Sequence, residues 1–126
     1  MKYKLVERGN PGNAEAAKKW YANPVKQGTK TLDTISKDIS GRSSLTSGDV
    51  SNVIENLIEQ LPKYLVEGNS VKLGNLGTFR ISFSSEGVEK PADFTTDKIR
   101  GVKILFTPSS IVKKELETMK FEQMSS

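Results

Sequence analysis

Residues 71–83 read Val-Lys-Leu-Gly-Asn-Leu-Gly-Thr-Phe-Arg-Ile-Ser-Phe. Val71 and Leu73 flank Lys72, and Phe79, Ile81 and Phe83 alternate with Arg80 and Ser82 across a Gly74-Asn75-Leu76-Gly77 turn. Alternation at period two is the signature of strands with one buried face, so the stretch predicts a hairpin, with Arg80 opposite the buried face. Upstream the period is different. Thr46-x-x-Asp49 forms a capping-box pattern ahead of Val50, Val53, Ile54, Leu57, Ile58 and Leu61, whose spacing predicts a long amphipathic helix. Pro62 is expected to kink it or end its regular part, and Gly68-Asn69 suits a stop. Leu32, Ile35 and Ile39 predict a shorter helix ending near Gly41. The change from helical to strand period between residues 66 and 71 makes this an α+β chain.

Working outward, Ser84 to Lys98 is polar, charged and marked by Gly87 and Pro91, which makes it an excursion rather than core. Val102, Ile104 and Phe106 return at period two, and Thr107-Pro108-Ser109-Ser110 opens a terminal helix carrying Ile111, Val112, Leu116 and Met119. At the other end, Tyr3 and Leu5 alternate with Lys2 and Lys4 over a short stretch that predicts a strand, stopped by Gly9-Asn10-Pro11-Gly12-Asn13. Ala14 to Ala22 favours helix by propensity at its start and an extended chain ahead of Asn23-Pro24, which places a strand near Lys18 to Ala22. The last few residues are expected to fray.

The chain has 126 residues, of which 35% are hydrophobic and only 7% aromatic. A single domain of this size buries about two-thirds of its unfolded surface, so its core is thin and a second copy is expected to cover the helical face. With no Cys and no His, disulfides, zinc sites of the usual kind and His-based catalysis are excluded. Glu115/Glu117 and Glu86/Glu89 lack the surroundings of a catalytic pair, and no enzyme, cofactor, metal site or small-molecule substrate is expected. No apolar run spans a bilayer and no signal peptide opens the chain, which reads as cytoplasmic. The net charge of +4 is unevenly spread: seven Lys/Arg against two Glu in residues 1–30, three against six acids in 31–68, and nine against seven in 69–126.

The opening Thr46-Ser47-Gly48-Asp49-Val50, the run Val71 to Phe79 and the later Phe106-Thr107-Pro108-Ser109 with Lys113 and Leu116 resemble the bacterial HU and integration host factor family of histone-like DNA-binding proteins. The likeness covers roughly residues 31 to 120, and the N-terminal extension is similar to a variant branch. It implies two helices, a three-stranded antiparallel sheet with an extended β-arm, a short C-terminal helix and an intertwined homodimer embracing the DNA minor groove, with extra strands added in front. Residues 1–30 are then an extension and residues 31–126 the DNA-binding domain, with an arm at about 84–100.

The implied activity is architectural binding of double-stranded DNA in the nucleoid, through phosphates and the minor groove and with little base readout. Candidate DNA contacts are Arg80, Lys90, Pro91, Lys98, Arg100, Lys103, Lys113 and Lys114, with Gly74, Asn75 and Gly77 as a phosphate-contacting turn. Pro91 lies in the region where family members carry an intercalating proline and reads either as such a wedge or as a loop proline, in an arm that lacks their arginines and carries Glu86 and Glu89. Thr107 and Ser110 stand where relatives often carry lysine. A helix-turn-helix reading of residues 31–66 is disfavoured by Asn52, Glu55, Asn56, Glu59 and Gln60 on the exposed face of the long helix. Trp20-Tyr21 beside Lys18-Lys19 fits either a base-stacking platform or a strand packed on the body. The acidic arm keeps a second function open: a dimeric protein-interaction module with weak or no DNA binding.

Overall fold

The structure, a computed structural model, describes residues 1–9, 12–13 and 15–124. The turn residues Asn10 and Pro11, Ala14 and the terminal Ser125 and Ser126 lie outside the described residues. In order, the elements are β1 (Lys2–Arg8), β2 (Lys19–Pro24), α1 (Leu32–Ser40), α2 (Ser47–Val66), β3 (Val71–Lys72), β4 (Gly77–Ser85), β5 (Ile99–Pro108), α3 (Ser110–Leu116) and β6 (Glu122–Gln123).

The helix signals of residues 31–68 are both realised. Thr31 caps α1 through its side chain, which accepts from the Thr34 amide. The full capping box opens α2, with Asp49 N–H donating to Thr46 Oγ1 at 3.1 Å and Thr46 N–H donating to Asp49 Oδ2 at 3.3 Å. The helix passes through Pro62 and runs on to Val66, so its regular part does not end at the proline. It stops at Gly68, whose φ of 94° is open only to a residue without Cβ strain, while Gly68 N–H and Asn69 N–H close onto the Leu65 and Tyr64 carbonyls. The helices are tied at their crossing by Ser51 Oγ donating to the buried Ser36 Oγ at 2.8 Å.

β3, β4 and β5 form an antiparallel meander. Phe79 and Phe106 face each other across β4 and β5 with ring centroids 4.7 Å apart. Gly77 is required where β4 begins: its φ is 150°, and a Cβ there would lie 2.4 Å from the Thr107 carbonyl oxygen and 2.8 Å from the Phe106 ring. The expected extended β-arm takes a different form. Strand pairing stops at Ser85 and Ile99, one further bond runs from Glu86 N–H to the Lys98 carbonyl, and the connection then carries two 3-10 turns, Pro91–Asp93 and Thr96–Lys98. Pro91 accounts for part of this, because it supplies no ladder donor and its fixed φ suits the first position of a helical turn.

The N-terminal strands build a second sheet in the order β2-β1-β6. β2 starts one residue later and ends two residues beyond the stretch expected from the sequence. β1 and β2 are antiparallel, while β6 runs parallel to β1. The end of the chain is therefore paired rather than frayed at residues 122–124: Glu122 N–H donates to Met1 O, Met124 N–H to Tyr3 O, and the terminal amine to Lys120 O at 2.6 Å. No local pattern announces such a two-residue strand, because its pairing is with residues more than a hundred positions away.

Within the single chain the core is small. Among the described residues Val50 and Leu65 are the buried large apolar ones, whereas Val53 and Ile58 on α2 are 62% and 58% exposed and Ile104 on β5 is 57% exposed. Among the described residues no helix is long and apolar enough to cross a membrane.

Candidate nucleic-acid interface

The register of β4 against β5 decides which side chains share a face. Phe79 pairs with Phe106 and Ile81 with Ile104, giving one apolar face; Thr78 pairs with Thr107, Arg80 with Leu105 and Ser82 with Lys103, giving the other. Between Ser82 and Ser84 the register shifts by one residue, so that Gly101 and Val102 on β5 lie opposite Phe83 alone. Gly101 holds the left-handed conformation of the bulge with φ of 67°. Beyond it Ser84 pairs with Arg100, which brings Arg100 onto the face of Ser82 and Lys103. In an unbulged strand Arg100 and Lys103, three residues apart, would point to opposite sides.

The polar face is completed by Lys72, opposite Thr78 on β3. It thus carries Lys72, Arg80, Lys103 and Arg100 among the hydroxyls of Thr78, Ser82, Ser84 and Thr107, and all four cations are exposed. Lys72 is a cation of this face that the sequence reading did not single out. Its alternation with Val71 and Leu73 already placed it on this side. Arg100 is not free: its Nη2 lies 2.5 Å from Glu86 Oε1, which extends the same face at the base of the arm. Lys72, Arg80 and Lys103 have no carboxylate within ion-pair distance among the described residues.

The remaining candidates lie around this face. Lys98 is half-buried in the second 3-10 turn, with Nζ 3.4 Å from Thr95 Oγ1. Lys90 and Pro91 are exposed at the start of the first 3-10 turn, on the far part of the connection. Lys113 and Lys114 are exposed in the last turn of α3. That helix is docked to the Gly74–Gly77 turn by Ser109, whose Oγ donates to the Asn75 carbonyl, whose amide donates to the Leu76 carbonyl at 3.1 Å, and whose Oγ accepts from Val112 N–H. Within the turn the Leu76 amide is bonded to the Leu73 carbonyl, while those of Gly74 and Asn75 have no partner among the described residues. The turn joins two strands, unlike the helix-joining Gly-x-x-Gly loop of an RNA-binding KH domain.

Trp20 and Tyr21 do not form one platform. Being neighbours on β2 they project from opposite faces of the sheet, and Trp20, 64% exposed, is not packed on the body. Among the described residues no group of three or more His, Cys, Asp or Glu is placed to hold a metal ion.

A helix pair against a three-stranded meander, with a connection protruding between the last two strands and a cation-bearing outer sheet face, defines an HU-like domain. The family model described as HU domain fused to wHTH, Ig, or Glycine-rich motif matches residues 1–123, both sheets included, and the chain belongs to that family. A solved structure from Bacteroides vulgatus ATCC 8482, described as a "Putative bacterial DNA binding protein", is similar in fold, with a TM-score of 0.59 at 14% sequence identity. The match covers 98% of this chain and 48% of that one, so the chain spans about half the length of that neighbour. No curated protein matches the sequence.

Proposed function

We propose that the chain is a histone-like architectural protein that binds double-stranded DNA as a homodimer, through phosphates and the minor groove and with low sequence specificity. The observation that carries this reading is the bulge at Gly101, which gathers Lys103 and Arg100 onto the face already holding Lys72 and Arg80. Long cations among hydroxyls on a twisted sheet suit phosphate oxygens, which need charge and donors but no fixed base pattern. The free amides of Gly74 and Asn75 add donors of the same kind. Membership of the HU-domain family and the description of the solved neighbour both favour DNA as the ligand. The role is binding rather than catalysis, and its setting is the nucleoid.

Homodimerisation is part of the reading. Val53, Ile58 and Ile104 leave most of their apolar side chains exposed in the single chain, and a second copy would cover them. Lys90 and Pro91, on the exposed connection, and Lys98, Lys113 and Lys114 at the margins of the sheet would add peripheral contacts. Pro91 opens a 3-10 turn rather than tipping a β-ribbon, and with Glu86, Glu89, Asp93 and Asp97 around it we expect less bending than a long basic arm produces.

Fluorescence anisotropy with a labelled duplex of about 30 base pairs at several salt concentrations tests the reading. Saturable binding is expected, and Arg80→Glu/Lys103→Glu is expected to weaken it and flatten the log-log salt slope by about two units per chain. The second reading, a dimeric protein-interaction module, is favoured by the Arg100–Glu86 pair, which takes one cation away from phosphate. Absence of wild-type binding near 50 mM salt would select it.

A further inference from the structure

The N-terminal sheet has two unlike faces, and neither is used by the site above. Its register places Tyr3, Leu5, Glu7, Trp20, Ala22 and Pro24 on one side. The other side holds Lys2, Lys4, Arg8 and Lys19 together with Val6, Tyr21 and Asn23. The single carboxylate on this second face is Glu122, paired in register with Lys2, and no ion pair forms on it among the described residues. Arg8 is held in place by donating from Nη2 to Asn23 Oδ1, and its guanidinium carbon lies 5.8 Å from the centre of the Tyr21 ring.

Two features of this face call for an anion. Arg8 stands directly opposite Lys19, and like charges facing each other across a strand pair are unfavourable unless a counter-charge relieves them. Protection of an exposed sheet edge, the ordinary reason for lysines on a strand, accounts for Lys4 and Arg8, where β1 is paired on one side only, but not for Lys2, which lies between β2 and β6. Lys2 and Lys4 lie about 6.8 Å apart along β1, and Arg8 follows beyond Val6 with Lys19 across from it, which makes a row rather than a point charge and suits a polyanion.

We propose that the Lys2, Lys4, Arg8 and Lys19 face of the N-terminal sheet is a second contact surface for the phosphate backbone of duplex DNA, separate from the β3-β4-β5 face. The inference rests on the DNA-binding reading above and extends it to the part of the chain that reading leaves without a role. Tyr21 lies beneath the guanidinium, and the bond to Asn23 turns Arg8 along the face toward Lys4.

The test uses the full chain with Lys2→Gln/Lys4→Gln/Lys19→Gln in the same anisotropy titration; these lysines are exposed and make no ion pair, and circular dichroism checks that the sheet is retained. The salt slope is expected to fall by two to three units per chain, at about 0.9 per lost phosphate contact, and to return with Lys2→Arg/Lys4→Arg/Lys19→Arg. Lys19→Gln alone is expected to lower it by about one. Wild-type binding with an unchanged slope in the triple glutamine variant, or no rescue by arginine, would overturn the inference and leave the body's role standing if Arg80→Glu/Lys103→Glu still weakens binding. A slope lost only in the lysine variant would support this surface and overturn the body's role. No wild-type binding would overturn both.

Discussion

Glu86 shows how much one side chain decides. It lies beyond the last paired residue of β4 and holds Arg100 at 2.5 Å, so that one of the four cations on the sheet face is engaged within the chain. The pair is solvent-exposed, and its contribution to stability is small, of the order of 0–1 kcal/mol. Under the proposed function its larger effect is on the ligand, since a phosphate would have to displace the carboxylate before using the guanidinium. Glu86→Gln is expected to leave the melting temperature nearly unchanged and to steepen the salt slope of duplex binding by about one unit, measured by anisotropy. Sequence reading placed Arg80 correctly opposite the apolar face because Phe79 and Ile81 flank it. It could not decide whether Arg100 and Lys103 cooperate, because the answer depends on one extra residue in β5.

At the scale of elements, the helices were the most legible part of the chain. Capping, spacing and stop signals at Thr46, Asp49 and Gly68 are local and act through bonds within a turn or two. Thr46→Ala removes the acceptor for the Asp49 amide and is expected to destabilise the fold by about 1 kcal/mol, measured by urea denaturation. The connection between β4 and β5 was legible as an excursion but not in its form. Polar composition says that a segment is not core, yet it does not distinguish a continued ribbon from the pair of 3-10 turns that begins at Pro91.

For the molecule as a whole, the apolar face of α2 is the outstanding debt. Val53 and Ile58 are exposed in the single chain although their spacing is that of a buried stripe. Val53→Glu/Ile58→Glu is therefore expected to shift the protein from dimer to monomer in sedimentation at micromolar concentration, with a loss of several kcal/mol in concentration-dependent stability. A single-chain mass for the wild type in the same experiment would show that the face has another use.

The sequence by itself determined the α+β class, the order of the elements from β1 to α3, both helix starts and the two faces of the hairpin, because those depend on periodicity and on caps acting over a few residues. The tertiary structure alone decided three further things. Gly101, in the left-handed region, shifts the register so that Arg100 joins Lys103; Trp20 and Tyr21 part to opposite faces of a paired strand; and Glu122 and Gln123 close onto β1 from the far end of the chain. Each depends on which strand lies opposite which. A side chain's face changes with every one-residue slip, and pairing between distant segments leaves no period in the local sequence.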